Sequence, residues 1–146
     1  MARCIDKTLC DNSTESNCTI LITDADGNQV YYTREADGEY NTISSYESTK
    51  DENGTLIREE ETVYDEDGAH TVTVTDYDEN GNKTGSTENT YDESGFSTKS
   101  VTKDAEGKIT ESSTTERDED GKLQYIYRRS SDENPNMKDD ARVVLV

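Results

Sequence analysis

The chain has 146 residues, 28% of them hydrophobic, no Trp, and a mean hydropathy of -1.09. That is enough for one domain, but too polar for a thick two-layer core along its length, where about 45–50% apolar residues are usual when Gly is counted. The formal net charge of -19 argues against nucleic acid and anionic membranes as partners, which select basic surfaces, and favours solubility, cation binding or mimicry of an acidic polymer.

The N-terminal segment, residues 1–17, opens "MARCIDKTLC" and holds no apolar stretch of the kind a signal peptide needs. Cys4, Cys10 and Cys18 cluster near this end. One intrachain bridge would leave one thiol over to join two subunits; three reduced cysteines in a cytosolic protein is the equal alternative. Zinc is not expected, because there is no C-x-x-C pair and the lone histidine, His70, is distant in sequence.

Next comes "CTILIT", a short β-prone apolar run with Ile20, Leu21 and Ile22. A repeat follows over residues 18–136. Its turns read "DADG", "EADG", "DENG", "DEDG", "DENG", "DESG", "DAEG" and "DEDG", ending at Gly27, Gly38, Gly54, Gly68, Gly81, Gly95, Gly107 and Gly121. A last copy, "DENP" at Asp132, ends in Pro135. From Gly54 onward the step is about 13 residues. Asp at the first turn position accepts from the backbone just after it, and Gly at the fourth takes the left-handed conformation. A type I turn with Gly at a bulge is a common hairpin connection.

Between the turns lie "TLIREEETVY", "AHTVTVTDY", "KITESSTTER" and "KLQYIYRRSS", rich in strand-favouring Thr, Tyr, Val and Ile. If every turn reverses the chain, the fold is all-β: an antiparallel meander of about ten strands with essentially no helix. In "HTVTVTD", Val72 and Val74 fall on one face and Thr71, Thr73 and Thr75 on the other. "NKTGSTENTY" and "KITESSTTER" offer almost nothing apolar to either face, whereas a sandwich needs an apolar inner face on every strand. An extended single-layer sheet, wet on both sides, is therefore expected, with a polar-interior barrel or a β-solenoid as the alternative. In its Thr, Glu and Lys content it resembles the single-layer sheet of outer surface protein A.

The turns at Tyr64-Asp65, Tyr77-Asp78 and Tyr91-Asp92, closed by Gly68, Gly81 and Gly95, resemble the YD repeats of bacterial RHS-type and wall-associated proteins. The resemblance spans about residues 51–125. It implies an extended β-sheet on a surface or in a shell, and brings no catalytic residue.

Candidate chemistry is sparse. "DYDENGNKT" matches the first half of a calcium loop through Asp76, Asp78, Asn80 and Gly81. Thr87 stands where the loop's bidentate Glu belongs, so an EF-hand is not expected, and looser Ca2+ binding at acidic turns is the only metal reading. With one histidine and no G-x-S-x-G, no catalytic residue and no cofactor are assigned. Sequons occur at Asn12, Asn17, Asn53 and Asn82.

The C-terminal segment, residues 137–146, ends "RVVLV", with Val143, Val144 and Leu145. Like Ile20, Leu21 and Ile22, these residues either pair within one molecule or add a strand to another. The sequence thus predicts a structural, non-enzymatic subunit of an extracellular or virion fibre. It would associate with itself through apolar terminal strands, without nucleic acid or membrane insertion. The alternative is a monomeric acidic binding module, either a calcium-dependent adhesin or a nucleic-acid-mimicking inhibitor.

Overall fold

The computed structural model describes residues 17–39, 41–129 and 142–145. These form the strands β1 (Asn17–Thr23), β2 (Gln29–Ala36), β3 (Thr42–Lys50), β4 (Leu56–Tyr64) and β5 (His70–Tyr77), followed by β6 (Lys83–Tyr91), β7 (Ser97–Asp104), β8 (Ile109–Arg117), β9 (Leu123–Arg129) and β10 (Arg142–Leu145). They lie in one 10-stranded sheet in chain order, every neighbouring pair antiparallel. Among the described residues β1 pairs only with β2 and β10 only with β9, and the sheet is not closed into a barrel. At ~4.8 Å per strand it is roughly 45 Å across.

The turns make the meander. In each, an Asp amide donates to the carbonyl four residues on, as Asp65 does to Ala69 at 2.9 Å. The Gly amide returns to the Asp carbonyl, and the Asp carboxylate accepts from two further amides; Asp65 Oδ1 takes Asp67 and Ala69. These bonds need a left-handed fourth residue, and Gly68 supplies it at φ 89°. The residue after Gly therefore closes the loop, and each strand starts one position later. In six hairpins the ladder then slips by one residue near the turn, leaving Ile43, Ile57, Thr84, Thr98, Thr110 and Gln124 as bulges. Three of the bulge threonines hydrogen-bond back across the hairpin, Thr84 to the Asp76 carbonyl, Thr98 to that of Thr90 and Thr110 to that of Thr102.

One turn departs from the expected frame. Gly38 is not its left-handed residue. Asp37 occupies the first position, donating to the Asn41 carbonyl and accepting from Glu39 and Asn41, so Gly38 falls second. The carboxylate, which holds two amides, fixes the frame in place of the glycine.

Directly opposed residues share a face. One face carries Ile20, Ile22, Tyr32, Tyr64, His70, Val72, Val74 and Tyr91; the other carries Leu21, Tyr31, Tyr46, Glu59, the β5 threonines, Tyr77 and Val101. Val72 and Val74 do lie opposite in sense to Thr71, Thr73 and Thr75. Among the described apolar residues only Tyr32, Ala36 and Val101 are buried. Tyr32 sits between Ile20 and Glu47, and Val101 between Glu88 and Ser112. Most strand positions are half-buried by cross-strand neighbours, the environment of a single layer held by its ladders.

Candidate functional site

Among the described residues the sheet ends in two unpaired edges, where backbone donors and acceptors are unused. β1 bears Ile20 and Ile22 on one face and Leu21, 67% exposed, on the other. Its outer side has no strand beside it among the described residues. Val143, Val144 and Leu145 lie on β10 at the opposite edge, with Val144 across from Ile126 and Leu145 across from Tyr125. The two runs of assembly candidates therefore occupy the two ends of one sheet and do not meet within the molecule. Strand direction alternates, so β1 and β10 point in opposite directions.

Two aromatic clusters lie inboard, and neither was predicted. On the first face the Tyr64, His70 and Tyr91 rings stack across β4, β5 and β6, with centroids 4.9 Å and 4.8 Å apart. The five-residue loop puts the tyrosine before each turn opposite the residue six positions later, hence Tyr64 against His70. His70 Nδ1 is buried without a hydrogen-bond partner, so the imidazole is held by its rings.

On the other face Glu59 takes two phenols. Tyr46 from β3 donates to its Oε2 and Tyr77 from β5 to its Oε1. Tyr31 from β2 packs edge-on against Tyr46, centroids 6.3 Å apart. The Tyr46 and then the Tyr77 hydrogen bond hold the Glu59 carboxyl below its ordinary range. Partial burial, followed by the neighbouring Glu59, pushes the Tyr46 phenol up to about 12. Tyr77 is raised too, chiefly by its bond to Glu59.

The turns gather carboxylates at both ends of the sheet. A groove of about 680 Å³ runs between the Asp37 and Asp65 turns, lined also by Ile43, Tyr64 and Glu66. Between the Asp92 and Asp118 turns a second, of about 510 Å³, holds Phe96 and Arg117, whose guanidinium lies 4.4 Å above the ring.

The calcium candidates divide between strand and loop. Asp76 is on β5 across from Arg58 and Gly85, while Asp78 Oδ1 already accepts from the Asn80 and Asn82 amides. Among the described residues no three His, Cys, Asp or Glu side chains gather round one point. Cys18, at the start of β1, is disulfide-bonded; Cys4 and Cys10 lie outside the described residues. Asn17 begins β1, and Asn53 and Asn82 sit exposed in turns at the same end of the sheet. Asn12 and the "DENP" turn lie outside the described residues.

Among the described residues no helix is long and apolar enough to cross a membrane. No protein-family model matches the chain, and no curated protein is significantly similar to it.

Proposed function

We propose that the chain is a structural subunit of an extracellular or virion fibre, polymerising head to tail by strand addition. The observation that carries this reading is the pair of edges of opposite polarity, each with no further strand beside it among the described residues. Because ten strands is an even number, a copy displaced along the sheet presents its β1 antiparallel to the β10 of the copy before it. The meander then continues across the junction with its alternation unbroken. Such a contact is heterologous and does not close on itself, so it builds filaments rather than dimers.

Ile20, Leu21 and Ile22 would meet Val143, Val144 and Leu145 there, adding apolar contact to a short ladder. The charge of -19 sets the cost: like-charged subunits repel, so assembly strengthens as salt screens them. The fibre role also fits the YD-type turns, and it requires no catalytic residue.

The test is negative-stain microscopy with sedimentation of the full chain, with and without reductant and EDTA, beside a chain lacking residues 142–146. Filaments from the full chain that vanish on truncation support the reading. Uniform monomers in every condition, or filaments that survive truncation, overturn it; the monomer result moves the function to an acidic binding module.

A further inference from the structure

The Glu59 cluster suggests chemistry that does not depend on assembly. A carboxylate that accepts from two tyrosines is a proton acceptor placed where a phenol would need one on oxidation. A phenol that loses an electron becomes a strong acid, and a base already hydrogen-bonded to it can take the proton as the electron leaves. A third tyrosine, Tyr31, packs edge-on against the Tyr46 ring and is 38% exposed.

We propose that Tyr46, Glu59 and Tyr31 form an oxidative cross-linking site, at which a one-electron oxidant joins β2 to β3 through a dityrosine bond. The oxidant takes one electron from Tyr46, and the phenolic proton passes to Glu59, leaving a neutral phenoxyl radical. A second oxidising equivalent takes one electron from Tyr31, whose proton leaves to water. The radicals join through ring carbons ortho to the hydroxyls. The two displaced ring hydrogens return to the oxygens as both rings regain aromaticity. In sum, two electrons go to the oxidant, two protons are released and one C–C bond forms.

Tyr77 shares the carboxylate, but Glu59 holds one proton at a time, so only one of its two phenols is oxidised by this route at once. Tyr31 on the neighbouring ring makes Tyr46 the productive one. The other charged groups on this face of β2–β5 are Glu35, Lys50, two residues beyond the Ser48 that opposes both Tyr31 and Glu59, and Glu61, directly across from Tyr46; Lys83 of β6 lies across from Tyr77. Glu61 is the nearest alternative base, and the variants below separate it from Glu59.

The experiment is photo-oxidation of the dilute full chain with ruthenium tris-bipyridine and persulfate, read by dityrosine fluorescence and peptide mapping. The expected product is monomeric, with residues 31 and 46 joined. Glu59→Gln should lower its yield by roughly tenfold, less than the ~10²-fold of a fully effective base because water also takes protons. Native yield should stay flat from about pH 5 to 9, whereas the Glu59→Gln yield should rise toward the phenol's ordinary pKa of ~10. Glu59→Asp should restore part of the yield, and Glu61→Gln should leave it unchanged. Cross-links that map to Tyr64 or Tyr91, or form only between molecules, overturn the proposal; the native map decides this even if a variant fails to fold. An unchanged yield and pH profile in folded Glu59→Gln would remove Glu59 from the mechanism and overturn it equally.

Discussion

Tyr46 and Tyr77 stand on strands that never touch each other, yet both end on the carboxylate of Glu59 on the strand between them. This bridge ties β3, β4 and β5 together, as the Tyr64–His70–Tyr91 stack on the opposite face ties β4, β5 and β6, in a sheet built otherwise mainly of neighbour-to-neighbour ladders. Glu59 has its folded pKa lowered from 4.5, so its contribution is complete above that value and is lost as pH falls through the depressed value. Tyr46 is raised from 10.0 to about 12, so its contribution is complete below 10.0 and is lost as pH climbs toward 12. Urea unfolding should therefore show one loss below pH 4.5 and another between 10.0 and about 12. Glu59→Gln should flatten the alkaline loss and cost about 1–2 kcal/mol at neutral pH, modest because the site is part-exposed.

The glycines differ sharply in what they do, although the sequence writes several of them alike. Gly68→Ala forces a side chain to φ 89° with no steric neighbour, so it should cost about 1–2 kcal/mol from backbone strain alone. Gly38→Ala should be neutral or stabilising by up to about 1 kcal/mol, because Gly38 has ordinary φ and open space around it. Gly85→Ala is a third case: its Cβ would sit 2.9 Å from the Lys103 carbonyl, so β6 and β7 must move apart. Urea midpoints of the three variants should rank Gly38→Ala above native or equal to it, with the other two clearly below.

This ranking marks where sequence reasoning reached and where it stopped. Strand number, order and turn type were legible because Asp and Gly have fixed turn roles, and the polar faces of β6 and β8 ruled out a second layer. The strand-favouring segments begin one residue before the strands, at Thr55, Ala69, Lys108 and Lys122, because each of these closes its loop. The frame at Asp37 is hidden in the sequence because Gly38 completes a D-G pair like those at Gly27, Gly68 and Gly121, while the bonds place Asp37 first in the turn. Neither aromatic cluster was legible, since both depend on register and on bulges that shift it. The six-residue step from Tyr64 to His70 was the one signal that could have revealed the stack.

The Asp carboxylates set each turn, so their loss should be local but costly. Asp92→Ala removes the acceptor for the Ser94 and Phe96 amides and should destabilise by about 1–2 kcal/mol. Asp92→Asn keeps a side-chain oxygen and should recover most of that. Hydrogen exchange should show the loss at residues 92–96 first, with β1 and β2 unaffected, because stability in a neighbour-linked sheet is not shared evenly.

Leu21 gives the cleanest separation of folding from assembly. It is 67% exposed on the edge strand, with its backbone paired to Tyr31 on the inner side, so the isolated subunit gains little from its side chain. Leu21→Lys should leave the thermal midpoint nearly unchanged, within about 0.5 kcal/mol, as surface substitutions usually do. At an intermolecular junction the same change places a charge on an apolar edge strand, the device by which sheets avoid edge-to-edge pairing. Sedimentation in rising salt should show native chains associating and Leu21→Lys chains staying monomeric. If both associate alike, the contact does not run through β1. If neither associates while the native fold is intact, the open edges have some other use than self-addition.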